Sequence, residues 1–158
     1  MKRILQLVIY FLLIGFSACK KEKSDEATFL AISGKWFQER NWSDDIILRE
    51  VYEFRNDHTF ERTAAAIDKT DGKIKGYINK TTASFSIKED SLVLKGLKMY
   101  GVKTYGYKKL EELESISEYN KQSYKTVFSA DKDTLTLLFY CPPNANWIFP
   151  RLTRVNKH

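Results

Sequence analysis

Few residues in this chain of 158 could carry out chemistry: two histidines, His58 and His158, and two cysteines, Cys19 and Cys141. His58 falls in a turn-forming run, "NDH", so a Ser-His-Asp or Cys-His arrangement would have to be built on a turn tip. A zinc site needs three or four convergent ligands, and one thiol with two distant histidines does not supply them. The sequence holds no G-x-S-x-G, no P-loop and no G-x-G-x-x-G. The neighbouring carboxylates Asp44 and Asp45, and Glu111 and Glu112, are adjacent in sequence and do not face each other on a strand or a helix, so they read as solvated charges. No catalytic residue, metal or cofactor is assigned, and a non-enzymatic protein is expected.

Cys19 is different, because of what precedes it. Lys2 and Arg3 form a positive head, and Ile4 to Phe16 form an apolar run interrupted only by Gln6 and Gly15. That run is shorter than the roughly 20 residues needed to cross a bilayer. Ser17 and Ala18 then supply small residues, completing the layout of a secretory signal. The segment "FSAC" resembles the lipobox of bacterial lipoproteins, with Phe16 where leucine is commonest. The resemblance implies a signal peptide over residues 1–18, cleavage before Cys19, and acylation of that cysteine with diacylglycerol and a further chain, palmitate among them. A plain signal peptide or an uncleaved signal anchor would still export the chain. Buried acyl chains contribute about 0.8 kcal/mol per methylene, and a second chain makes anchoring stable. The run "KKEKSDE", Lys20 to Glu26, is polar without apolar periodicity, so residues 19–31 are expected to form the lipidated cysteine and a flexible tether. By resemblance to lipoprotein sorting rules, Lys20 directs the protein to the outer membrane of a Gram-negative cell envelope.

Loss of the leader removes Lys2 and Arg3, lowering the formal balance from +6 to +4. An exported protein does not meet nucleic acid as a routine ligand, and excess lysine of this order is solvated surface. With Cys19 acylated, Cys141 has no intramolecular partner, so stability must come from packing. A monomer is expected.

From Ser33 onward the periodicity is that of a sheet. In "EVYEFRND", Tyr52 and Phe54 share one face, and "TFERT" continues the alternation around Phe60 after a turn at Asn56 to His58. "TASFSIKEDSLVLKG" and "YKTVFSADKDTLTLLFY" repeat this hairpin logic, and "WIFPRLTRV" is a last strand after the "CPPNAN" loop. Short strands with turns at regular intervals predict an all-β barrel or sandwich. "YKKLEELESISEYN", Tyr107 to Asn120, instead places Leu110 and Leu113 at helical spacing among helix formers, predicting a short amphipathic helix in the connection 97–122; a further strand pair is the alternative.

"GKW", Gly34 to Trp36, opens the first strand, and "RLTRV" lies in the last. These runs, with "YEFRNDHTFERT" between them, are similar to the lipocalin-like domain of small bacterial lipoproteins, which begins on G-x-W and sets an arginine against that tryptophan. The resemblance covers residues 32–156 and implies an antiparallel up-and-down barrel of about eight strands. It further implies that Gly34, Trp36 and Arg154 close the barrel base, with Arg151 the alternate, as a structural device. Asp57-His58 replaces the usual Asp-Gly of the first hairpin.

Such a barrel is just wide enough to be filled by side chains or to hold one small ligand. Tyr52, Phe54, Phe60, Tyr77, Phe85, Phe128, Phe139 and Trp147 are the aromatic candidates for an inward-facing site. Lys98, Lys103, Lys108 and Lys109, interleaved with Tyr100, Tyr105 and Tyr107, would rim its mouth. Two functions follow. One is a membrane-anchored protein that binds a small hydrophobic or amphipathic molecule; the other is a filled barrel that presents loops to another envelope protein.

Overall fold

The computed structural model describes residues 24–89, 91–139 and 150–155. The signal segment, Cys19, Cys141 and Trp147 lie outside them. Residues 24–32 are helical. Eight strands follow: β1 (Gly34–Asn41), β2 (Ile46–Phe54), β3 (Thr59–Asp68), β4 (Ile74–Lys88), β5 (Ser91–Gly101), β6 (Glu114–Phe128), β7 (Thr134–Phe139) and β8 (Arg151–Arg154). Each pairs antiparallel with the next, and β8 pairs with β1, so the sheet is a closed up-and-down barrel: of the barrel and sandwich that the alternation allows, the one the resemblance implies.

The hairpin turns are built by aspartates. Asp57 Oδ1 accepts hydrogen bonds from the backbone N–H of Thr59 at 3.0 Å and from its hydroxyl at 2.6 Å, and Asp131 does the same for Ser129 and Asp133. Side chains of this kind substitute for backbone partners in turns. His58 stands where glycine is usual, in the left-handed region at φ 65°. Its ring lies 4.6 Å from that of Phe29 and 5.9 Å from that of Phe85, so the turn gives up glycine's freedom for an aromatic contact with the helix.

The core lies at the end of the barrel where the chain enters. Trp36, Phe54, Phe60, Phe85, Leu92, Leu135 and Leu152 fill it, and Ile32, fully buried, plugs it from the helix. Residues 24–31, expected within a flexible tether, are therefore corrected: they belong to this helix, because Phe29 and Ile32 bury apolar surface that a free tether would leave in water.

The connection between β5 and β6 holds a short helix, as expected, but of one 3-10 turn, Leu110–Glu112. The amphipathic helix expected over Tyr107–Asn120 is corrected: the chain from Glu114 is strand, paired with β5 from Gly101↔Glu114 down to Ser91↔Lys125. Its apolar residues mislead because Ile116 and Tyr119 are exposed, so their spacing does not record a buried helical face. This connection is pinned to β4 by paired backbone bonds between Tyr77 and Lys108, at 2.7 and 2.9 Å. A Cβ on Gly76 would lie 2.8 Å from Tyr107 Cδ2 and 2.9 Å from the Lys108 carbonyl oxygen. Gly76→Ala is expected to cost about 1–3 kcal/mol as the backbone shifts, and to speed hydrogen exchange at the Lys108 and Tyr77 amides. Unchanged exchange at both would show that the approach is not tight in solution.

Among the described residues, β7 covers β6 only from Tyr124↔Phe139 to Phe128↔Leu135. The first ten residues of β6, starting at Glu114, thus have no β7 partner there. No helix of the described residues is long and apolar enough to cross a membrane.

Candidate functional site

The base is closed by a cluster that begins at Gly34. That residue has φ +120°, a conformation L side chains rarely adopt, which accounts for the glycine of "GKW". Trp36 is fully buried, pairs with Arg154 across the β1–β8 seam, and carries the Arg154 guanidinium 4.3 Å above its ring. Its indole N–H donates to the Ile32 carbonyl at 2.7 Å, while Arg154 donates to the carbonyls of Ala31 and Ser33. Those of Ala31 and Ile32 are terminal carbonyls of the 24–32 helix, which need donors once the helix ends, and Ser33 is the residue that follows it. Arg154, rather than Arg151, faces the tryptophan; Arg151 lies at the edge of the cavity described next. The pair thus does more than close the sheet. It also caps and holds the plug.

Above this base the interior is hollow. A cavity of about 1020 Å³ extends from an apolar floor of Phe60, Leu92, Leu94 and Leu137 towards the mouth, at the upper end of the size range of small-molecule pockets. Glu39 and Arg40 of β1 and Tyr119, Lys121 and Ser123 of β6 also line it; among the described residues these β6 positions have no β7 partner. The barrel is therefore filled at its base and empty above it.

Of the aromatic candidates, Tyr52, Phe60 and Phe139 line the cavity. Phe54 and Phe85 do not: they pack edge-to-face, 5.4 Å apart, in the filled base. Phe128 lies against Trp36, ring centroids 6.2 Å apart, and Tyr77 is in the ladder to Lys108 outside the cavity lining. Trp147 falls outside the described residues. The basic rim is also rearranged. Lys103 and Lys108 both pair with Glu114, at 2.5 and 3.2 Å, and exposed Tyr105 rests 5.9 Å from Trp42.

The cavity wall carries polar groups that the alternation alone did not single out. Glu50 is 3% exposed; one carboxylate oxygen accepts from Arg62 Nη2 and the other from Gln38 Nε2. Burial alone would push its carboxyl up, but the Arg62 guanidinium, the two hydrogen bonds and the more distant Arg40 outweigh burial and hold it below the ordinary carboxylate value. Arg62 lies over the Tyr52 ring at 5.5 Å, and burial pushes the Tyr52 and Tyr124 phenols above their ordinary range. Arg62 Nε and Thr81 Oγ1, both on residues of this wall, are buried without a protein partner.

A signal for this pair was present. Glu50 has the parity of Tyr52 and Phe54, and Arg62 that of Phe60, so both charges fall in phase with the apolar face of the first hairpin. Gln38 and Thr81 carried no such signal, since uncharged polar residues are common on either face of a strand. Among the described residues, no group of three or more His, Cys, Asp and Glu is placed to hold a metal ion. No protein-family model, curated protein or solved structure matches the chain.

Proposed function

We propose that this protein is a lipoprotein of the Gram-negative cell envelope, anchored in the outer membrane through acyl chains on Cys19, whose lipocalin-like barrel binds one small amphipathic molecule. The observation that carries the binding half is the cavity of about 1020 Å³, with an apolar floor and a charged, hydrogen-bonding wall. Pockets that bind small molecules combine these features: apolar lining for affinity, and a few placed polar groups for orientation. A filled barrel acting only through its loops gains no support from an interior of this shape. The anchoring half rests on the resemblance of "FSAC" to a lipobox.

The helix over residues 24–32 gives the anchor a geometric consequence. The five residue steps from Cys19 to Ser24 span at most about 17 Å when extended. The plugged base therefore faces the membrane, and the mouth opens away from it. In a Gram-negative host, labelled palmitate is expected in the wild-type chain, which partitions with membranes, and not in Cys19→Ala. Equal labelling of the two would overturn the anchor. For the cavity, native mass spectrometry of the mature protein extracted from membranes is expected to show a copurified or added amphiphile at a ratio of one to one. An apo species that ignores amphiphiles and does not bind a hydrophobic dye would overturn the carrier.

A further inference from the structure

We infer that the cavity selects an amphiphile with an anionic oxyacid head, a carboxylate or a phosphate monoester, which Arg62 and Arg40 hold above the apolar floor. The inference rests on the reading that the barrel binds an amphiphile, and adds the charge of its head.

The charge balance of the wall comes first. Both oxygens of Glu50 are already engaged, by Arg62 and by Gln38, so the buried carboxylate is committed to the protein. Glu39, the other acid on the wall, is bonded to Arg49 at 2.5 Å. Arg40, Lys121 and Arg151 also line the cavity, and among the described residues none of them has an ion pair. Among the described residues, positive charge on this wall is therefore in excess.

Geometry narrows the head group further. Arg62 spends one Nη on Glu50, and its side chain stays 27% exposed on the cavity wall. A guanidinium is a planar fork that bonds carboxylate and phosphate oxygens in pairs, and one held by a carboxylate and laid over an aromatic ring is already oriented to do so. Thr81 lines the same wall, and its hydroxyl is buried without a protein partner. On β3 the order Phe60 then Arg62, and on β2 the order Tyr52 then Glu50, set this layer directly above the aromatic and leucine floor. A head bound at Arg62 thus has apolar surface beneath it for a hydrocarbon tail. A cationic head would meet the excess positive charge, and a neutral one would leave that charge unbalanced.

Three probes of equal chain length make the test: laurate, dodecanol and dodecyltrimethylammonium, with dodecyl phosphate added to separate a carboxylate preference from a phosphate preference. Each is titrated into the mature protein and read by native mass spectrometry. Wild type is expected to bind laurate or dodecyl phosphate at least about tenfold more tightly than dodecanol, with the cation weakest. In Glu50→Gln/Arg62→Gln the ratio of anion to alcohol is expected to fall towards one. Arg40→Gln, at an exposed position, is expected to reduce it several-fold and tests the same claim without disturbing the buried pair. Equal binding of laurate, dodecyl phosphate and dodecanol by wild type, or an undiminished ratio in both variants, would overturn the inference while leaving an amphiphile carrier standing. Failure of wild type to bind any of the four would overturn both.

Discussion

Trp36→Ala is expected to lower the free energy of unfolding by about 3–5 kcal/mol, the range for truncating a large buried aromatic. The indole is fully buried, so the change opens a cavity in the base that its neighbours cannot refill. Two further losses act at the same place. Arg154 loses the ring 4.3 Å beneath it, worth about 0.5–2 kcal/mol, and the Ile32 carbonyl loses its donor. Domains of ordinary size are stable by only about 5–15 kcal/mol, so this substitution removes a large share of the total. Urea denaturation at neutral pH would measure it. Trp36→Phe is expected to cost less, since it keeps most of the apolar area and loses the N–H. The helix supplies an internal check, because it is held by the same cluster: in either variant, amide exchange in residues 24–32 should rise before that of the central strands. A Trp36→Ala protein within 1 kcal/mol of wild type would mean that the base is not closed by this cluster.

The second large effect is expected at the buried ion pair, and there single and double substitutions should part company. Arg62→Met leaves the Glu50 carboxylate in the wall with only Gln38, and removal of one partner of a buried pair costs about 3–5 kcal/mol. Glu50→Gln/Arg62→Met removes both charges, and by the same principle much of that cost should return. A double-mutant cycle gives the coupling directly.

The pH dependence fixes the sign. In wild type the Glu50 carboxyl lies below its ordinary value of 4.5, so its contribution to stability is complete above that value and is lost as pH falls below 4.5 through the folded-state pKa. Other carboxylates held low, among them Asp68 at about 2, also act in this direction, so the part due to Glu50 is the difference between wild type and Glu50→Gln. In Arg62→Met the order reverses. Burial, which raises this carboxyl, then acts without the Arg62 guanidinium to oppose it, so that variant's deficit should shrink as pH falls. Equal acid sensitivity of wild type and Glu50→Gln would show that the pair is not a buried, coupled one.

Sequence and tertiary structure contributed to different parts of this picture. Alternation of Tyr52 with Phe54, of Phe85 with Ile87 and of Leu135 with Leu137 was enough to locate strands and turns, because a strand's inward side recurs every second residue. The pairing of Trp36 with Arg154 from opposite ends of the chain followed from the resemblance of "GKW" and "RLTRV" to a lipocalin-like domain, not from alternation. β6 escaped, since its upper half has few buried residues and so leaves no period-two record of its pairing. One β-bulge adds to this. Gly96, with φ +61°, shifts the inward set of β5 from Leu92 and Leu94 to Leu97, a change of parity invisible to a strict alternation.

What the linear order of residues determined by itself was the place of most strands and the hairpin turns that join them. Those features depend on local period and turn chemistry, which neighbouring residues encode. Tertiary structure alone decided where the filled base ends and the hollow begins, and which aromatics belong to each. Phe54 and Phe60 are equivalent in the first hairpin and pair directly, yet Phe60 lines the cavity and Phe54 does not. Phe54 packs edge-to-face on Phe85 of β4, which in turn stacks on Phe29 of the helix, contacts between residues far apart in the chain that no local pattern records.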